Sequence, residues 1–155
     1  MLQSKPVSAS EVIMTQLVLP IHINSLDTIF GGTIMSWIDI AAAISAQRHC
    51  NREVVTASID QLSFYAPVKK GWVVNLKSKV NFVAKTSMEI GVQVTAENPR
   101  TNELFHTSSA YLTFVALDSF GKPTSVPELI LESEDDKRRF DEGKIRRLQR
   151  LATRK

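Results

Sequence analysis

The sequence predicts an α+β fold, in which an antiparallel sheet wraps around one long central helix and a further helix follows at the C-terminus. Residues 33–47 contain no proline, no glycine and a single charge, at Asp39, which is typical of a buried helix. Four strand-like segments with short turns follow, and apolar residues alternate with polar ones along them. A helix and a meander of this kind bury their apolar surfaces together when the sheet curls round the helix.

The elements can be placed in order along the chain. Residues 1–10 are expected to form a flexible N-terminal arm, residues 11–126 the folded domain, and residues 127–155 a charged helical tail. Strands are predicted at 11–19, 54–65, 72–82, 88–95 and 104–117, with the first strand joining the same sheet. Edge strands and apolar residues at both ends of the meander also predict association into dimers or larger assemblies.

The tail is predicted to be helical because Ser133 precedes three acids, as an N-cap does, and basic residues follow from Lys144 onward. A solvated amphipathic helix, packed on the domain or on a neighbouring subunit, is favoured over a nucleic-acid-binding patch. The reason is that no aromatic side chains are interleaved for base stacking.

The amino-acid composition limits the classes of function that this chain can have. With 155 residues, of which 43% are hydrophobic and 23% charged, one domain is expected. No apolar run approaches the ~20 residues of a membrane helix. A single cysteine, Cys50, excludes an internal disulfide and fits the cytoplasm. The three histidines, His22, His49 and His106, lie in separate segments without ligand-like spacing, so a metal site is not expected.

Asp39 is the first candidate for chemistry. It lies on a helix face of mostly small side chains, about two turns from the free N–H groups expected at the helix start near Gly31 and Gly32. The alternative is a buried structural acid that accepts backbone hydrogen bonds. Asn24, in the loop before the helix, is the second candidate, although loop asparagines commonly make turns or cap helices.

Three segments, in this order and spacing, resemble the hotdog-fold acyl-CoA thioesterases of the bacterial YciA-like and cytosolic acyl-CoA hydrolase group: N-S-L-D-T-I-F-G-G-T-I-M-S-W-I-D, V-V-T-A-S-I-D and K-T-S-M-E-I. The likeness covers residues 12–126. It implies a hotdog fold, hydrolysis of acyl-CoA without a cofactor other than the coenzyme A of the substrate, and a homohexamer built as a trimer of dimers.

The resemblance also implies roles for individual residues. Asp39 matches the catalytic acid, acting either as general base on water or as nucleophile. Asn24 matches an asparagine that reaches the site from the other subunit of a dimer and orients the water or the thioester. The N–H groups near Gly31 and Gly32 would stabilise the oxyanion, and Thr56 would support the site.

Coenzyme A carries phosphates, so basic groups and turn N–H donors are expected near the site mouth. Lys85, Thr86 and Ser87 in the K-T-S-M turn are the candidates, and Arg100 is a weaker one. Some relatives have glycine where this chain has Asp27. That carboxylate would either disfavour anionic acyl groups or simply make a turn.

Two other functions compete with hydrolysis. A hotdog dehydratase is disfavoured because no histidine is expected on the central helix, or in the loop before it, in a position to pair with an acid. A non-catalytic acyl-CoA sensor, with a basic tail for nucleic acid, is disfavoured by the presence of both Asn24 and Asp39.

Overall fold

The computed structural model describes residues 2–154 and confirms an antiparallel sheet wrapped around a central helix. In chain order its elements are β1 (Lys5–Pro6), β2 (Val12–Leu17), α1 (Gly31–Cys50), β3 (Glu53–Phe64), β4 (Val73–Val83), β5 (Ser87–Asn98), β6 (Glu103–Leu117), β7 (Leu129–Ile130) and α2 (Glu134–Ala152). The main sheet has five strands in the order β2-β4-β5-β6-β3, and its neighbouring strands are all antiparallel. The first long strand joins this sheet, as predicted, while β3 forms the opposite edge.

One face of α1 is completely buried against the sheet. Ile38, Ala41, Ala42 and Ala46 are each 0% exposed, and the small alanines let the sheet approach the helix closely. The opposite face is open: Ser36 and Ile40 are exposed, Ile40 at 49%. The expectation of a helix buried on every side is therefore wrong for the single subunit, because five strands cover only one side of it.

The N-terminal segment is ordered, so the interpretation of residues 1–10 as a flexible arm is wrong for Lys5–Ser10; Met1 lies outside the described residues. The Lys5 N–H donates to the Glu128 carbonyl at 3.0 Å, and β1 pairs in parallel with β7. Val7 is 3% exposed, and the buried Ser10 hydroxyl accepts a hydrogen bond from the Val80 N–H at 2.9 Å. These long-range contacts fix a segment that has little local structural signal.

Helix α2 crosses the outer face of the sheet and is held by polar contacts. The Arg146 guanidinium donates to both oxygens of Glu89, at 2.9 and 2.7 Å, and lies 3.6 Å from the centre of the Tyr111 ring. Glu89, predicted to face solvent, is only 4% exposed because α2 covers it. Gly143 permits this approach, since a β-carbon there would lie 2.8 Å from Phe82.

The predicted cap of α2 is present, and among the apolar side chains of this helix Phe140 packs against Phe82, with 4.9 Å between the ring centres. The Asp136 N–H donates to the Ser133 side-chain oxygen at 3.0 Å. Ile145, Leu148 and Leu151 remain exposed. No described helix is both long enough and apolar enough to cross a membrane.

His49 near the end of α1 makes stability depend on pH. Its ring is fully buried, and Nε2 donates to the Pro127 carbonyl at 2.7 Å. Burial lowers the pKa of His49 below its usual 6.5, and the nearby positive charge of Lys5 lowers that pKa further against the opposing effect of the Pro127 hydrogen bond. The folded protein therefore holds this imidazole neutral.

We expect His49→Gln to remove part of the acid sensitivity of folding. Below about pH 6.5 the unfolded chain binds a proton at His49 that the folded chain does not, so stability present above that pH is lost as the pH falls toward the folded-state pKa. The free energies of unfolding of wild type and variant should converge between pH 7.5 and 5.5, by at most about 1.4 kcal/mol per pH unit. Urea denaturation at fixed protein concentration measures this, and a constant difference would contradict it.

Candidate active site

Asp39 lies on the open face of α1, where it meets the edge strand β3. The Thr56 hydroxyl donates to Asp39 Oδ1 at 2.7 Å. No hydrogen bond reaches Oδ2 from any of the described residues. Asp39 is half-buried, and its neighbours Ser36 and Ile40 are exposed. The carboxylate is thus fixed by one oxygen and available through the other, which argues against a purely structural buried acid.

Thr56 faces Asp39 from the last regularly paired position of β3 before two bulges. The register of β3 on β6 shifts between Thr56 and Ser58 and again between Ile59 and Gln61. In a regular strand Ser58 would share a face with Thr56, since side chains alternate. Here Thr56 lies opposite buried Phe114 and contacts the helix, while Ser58 lies opposite Thr113. A bulge that redirects a side chain beside a site is a recurring use of this irregularity.

The start of α1 offers free N–H groups next to an apolar cleft. The Gly31 and Gly32 N–H groups donate to no backbone acceptor among the described residues, whereas the Thr33 N–H donates to the Phe30 carbonyl at 2.9 Å. A β-carbon on Gly32 would lie 2.5 Å from the Phe30 ring, so a larger residue there would require this exposed ring to move. Beside it opens a cleft of about 270 Å³, lined by Ile29, Gly31, Ile34, Phe64, Tyr65, Ala66, Pro67 and Val68.

Asn24 organises the loop that leads to the helix. Its Oδ1 accepts hydrogen bonds from the Leu26 N–H at 2.9 Å, the Thr28 N–H at 3.3 Å and the Thr28 hydroxyl at 3.2 Å. Its Nδ2 donates to none of the described residues. Asp27, in the same loop, has a φ of 60°, a left-handed conformation that suits glycine, so its role as a turn residue accounts for a glycine at that position.

Asn24 and Asp39 do not meet within one subunit. The Asn24 loop is tied to the start of α1, because the Phe30 N–H donates to the His22 carbonyl at 2.8 Å. Asp39 lies eight residues farther along the helix than Gly31, a rise of ~12 Å. Within one subunit, therefore, the Nδ2 group of Asn24 and the Oδ2 atom of Asp39 do not contact each other.

The candidates for phosphate binding fall at two ends of the sheet. Lys85 and Thr86 form the turn between β4 and β5, and Ser87, the first residue of β5, pairs with Val115. This turn lies at the same end of the sheet as Thr56, two strands away. Arg100 is in the turn after β5, at the far end of a 12-residue strand that spans ~35 Å. One subunit therefore does not bring Arg100 together with the other three.

Sequence reasoning missed two basic residues beside the Asn24 loop. Lys69 forms a β-bridge with Thr28, and the Lys70 N–H donates to the Asp27 carbonyl at 3.3 Å. Both lysines are exposed. The consecutive pair in the P-V-K-K-G turn was the available signal, but nothing in the sequence places that turn against the loop.

A larger groove lies elsewhere, on the outer face of the sheet under α2. Its volume is about 460 Å³, and its lining includes Lys77, Lys79, Arg138, Arg139 and Arg146. Four of these cations are paired with acids. Within residues 2–154 no group of three His, Cys, Asp or Glu side chains could hold a metal ion.

Comparison with protein families gives a match to the family described as the Thioesterase superfamily, over residues 26–103. The chain is 46% identical over 127 residues to the Bacillus subtilis uncharacterized acyl-CoA thioester hydrolase YkhA, covering 82% of this chain and 74% of that protein. It is 39% identical over 150 residues to the rat cytosolic acyl coenzyme A thioester hydrolase. That alignment covers 96% of this chain but only 39% of the rat protein.

Solved structures agree closely with this fold. A hexameric acyl-CoA thioesterase, crystallised in its apo form, superposes with a TM-score of 0.92 at 41% identity, over 99% of this chain and 100% of that one. An acyl-CoA hydrolase from Staphylococcus aureus, in complex with butyryl coenzyme A, coenzyme A and coenzyme A disulfide, superposes with a TM-score of 0.89 at 36% identity, over 97% and 91% of the chains.

Alanine mutants of the Staphylococcus aureus protein have also been crystallised. They replace an asparagine, an aspartate and a threonine that are separated by 15 and then 17 residues. Asn24, Asp39 and Thr56 are separated by the same two intervals.

We expect two substitutions at Asn24 to distinguish the role of its Oδ1 atom from that of its Nδ2 group. Asn24→Ala removes the acceptor for Leu26 and Thr28, so hydrogen exchange of those amides should accelerate about tenfold or more, corresponding to the loss of roughly one hydrogen bond each. Asn24→Asp keeps the acceptor oxygen and removes only Nδ2, so protection should remain near that of the wild type. Equal loss of protection in both variants would show that the acceptor does not hold the loop.

Proposed function

The chain belongs to the thioesterase superfamily, and we propose that it is an acyl-CoA hydrolase, which converts acyl-CoA and water to a free carboxylic acid and coenzyme A. One observation carries the proposal: the free oxygen of Asp39 lies on the open face of the central helix, beside Thr56 and an unpaired strand edge. The equal spacing with the three mutated residues of the Staphylococcus aureus enzyme supports the same three positions.

The active site is completed by a second subunit across β3. This edge strand exposes Val55, Ile59 and Phe64, at 47%, 37% and 50%, and α1 exposes Met35 and Ile40. A free strand edge with adjacent apolar surface is a template for pairing with another chain. Antiparallel pairing of β3 with its own copy about a two-fold axis gives an isologous dimer interface.

Such pairing brings the start of one α1 toward Asp39 of the other. Gly31 lies against Phe64, at the end of β3, whereas Asp39 contacts Thr56, near the beginning of β3. An antiparallel two-fold places the end of one strand beside the beginning of the other. The partner's Asn24 loop and glycine N–H groups then face Asp39, which accounts for two complementary half-sites in one chain.

The reaction follows from these groups. Asp39 Oδ2 takes a proton from water as the water oxygen bonds to the thioester carbonyl carbon, or Oδ2 itself attacks that carbon and water later hydrolyses the anhydride. The N–H groups at Gly31 and Gly32 stabilise the oxyanion, and the Asn24 amide orients water or carbonyl. On the first route the C–S bond then breaks, and Asp39 passes the proton to the departing coenzyme A sulfur. On the second route the coenzyme A thiolate leaves as the anhydride forms, and the water that later hydrolyses the anhydride supplies the proton for the sulfur. Carboxylate, amide and water suffice, so no cofactor is required.

The two ends of the substrate are bound by different parts of the site. The apolar cleft beside Gly31 suits the acyl or pantetheine portion, and the phosphates are bound by basic turns. Lys85, Thr86 and Ser87 remain our candidates for this, and exposed Lys69 and Lys70 join them because they border the Asn24 loop.

We further infer a homohexamer, a trimer of these dimers, because the similar hexameric thioesterase covers essentially the whole chain. A cytoplasmic location and a role in fatty acyl and lipid metabolism follow from the same activity and from the cytosolic relatives.

We expect Asp39→Asn to lower kcat by about 10³-fold or more, because it keeps the acceptor for Thr56 but removes the base or nucleophile. Thiol release from acyl-CoAs of two to sixteen carbons measures this, and size-exclusion chromatography checks the assembly. Asp141→Asn, at an exposed acid of α2, is the matched control and should retain wild-type kcat. Tight acyl-CoA binding by a wild type that hydrolyses none of the panel would instead support the non-catalytic sensor.

A mixing experiment tests the shared site. Asp39→Asn and Asn24→Asp homo-oligomers should each be nearly inactive. After refolding together at equal concentrations, half of the dimers are mixed, and each mixed dimer holds one site with both native residues. Activity should therefore recover to about a quarter of the wild-type value on statistical assortment of isologous dimers. If both residues act within one chain, mixing restores nothing.

A further inference from the structure

Asp60 lies on the outer side of β3, at the second of the two bulges that follow Thr56. The register of β3 on β6 passes from Ile59 to Gln61, which leaves Asp60 without a partner residue, as the first bulge leaves Ala57. Between the bulges only Ser58 and Ile59 are paired. This four-residue irregular segment immediately follows Thr56, so a displacement of the segment would be passed on to the backbone of Thr56.

The Asp60 carboxylate accepts hydrogen bonds from three groups near this segment. Oδ1 accepts from the Ser58 hydroxyl at 3.1 Å, and Oδ2 accepts from the Thr113 hydroxyl at 3.5 Å and from Arg150 Nη1 at 2.7 Å. The side chains of Arg150 and Asp60 are 28% and 19% exposed. Asp60 therefore links the bulged part of β3 to β6 on one side and to α2 on the other.

An edge strand needs such a link more than an interior strand does. Within the single chain β3 pairs only with β6, so its bulged backbone lacks a second neighbour. Arg150 comes from a helix that is anchored independently, by Arg146 on Glu89 and by Phe140 packed 4.9 Å from Phe82. The position of the Arg150 guanidinium is thus fixed by contacts of α2 that do not involve β3.

We propose that Asp60 and Arg150 are positioning residues for hydrolysis: their ion pair holds the bulged segment of β3 so that Thr56 orients Asp39. The proposal rests on the proposed acyl-CoA hydrolysis. It makes α2 part of the catalytic apparatus, although neither residue touches the substrate.

The test is a double-substitution cycle with Thr56. Asp60→Asn and Arg150→Gln should each lower kcat roughly tenfold with KM within about twofold, because a small displacement of a catalytic group is costly. In a Thr56→Val background the same substitutions should have almost no further effect, since they act through Thr56. Losses that multiply in full would overturn the proposal. Arg150→Lys should recover most of the activity, and Arg138→Gln, on the exposed side of α2, should leave kcat unchanged.

Crystal structures of Asp60→Asn and Arg150→Gln give a readout that is independent of activity. The proposal requires the hydrogen bond from Thr56 to Asp39 to lengthen or break while α2 stays docked through Arg146. An unchanged 2.7 Å contact in both variants would overturn it. If the wild type hydrolyses no acyl-CoA, the proposed function fails, and these structures still decide whether the ion pair orients Thr56.

Discussion

Complete burial of one face of α1 is the constraint on which the rest of the structure depends. The buried alanines bring the sheet so close that it must curve round the helix, and its five strands cover only that side. The other face of α1 and the edge of β3 therefore stay open together. Asp39 lies in this gap, half-buried and fixed by Thr56. The geometry that creates the core also leaves an open site, which we propose is completed by a second copy of the chain.

The sequence predicted those elements whose two sides face different surroundings. The alternation of apolar and polar residues in β4 and β5 indicates that each strand has an inner apolar face. The nearly uncharged stretch of α1, without proline or glycine after its first turn begins, indicates a buried helix. Lys5–Ser10 could not be predicted, because its order comes from contacts with Glu128 and Val80, far away along the chain. The burial of Glu89 could not be predicted for the same kind of reason. Its polar position in the alternating pattern of β5 indicates a side chain that faces solvent, and it is buried because α2 docks over it.

The candidate site could be predicted where a residue type is out of place. An acid in an apolar helix points to Asp39, and a glycine pair before that helix points to its free N–H groups. The contact of Thr56 with Asp39 could not be predicted from the pattern, since Val54 and Val55 before it are both apolar and no alternation assigns its face. The proximity of Lys69 to the Asn24 loop depends on a single bridge to Thr28, which has no sequence signature.

The polar docking of α2 has a physical reason beyond stability. Buried ion pairs contribute little net free energy, because desolvation offsets much of their attraction, but they fix geometry in a way that apolar contacts do not. Arg146 and Arg150 hold α2 at two points along the sheet, and the second of these is Asp60, on the strand that carries Thr56. Apolar packing would cover the sheet equally well yet leave a bulged edge strand free to shift. A helix held by directed contacts is better suited to maintain one conformation of that strand.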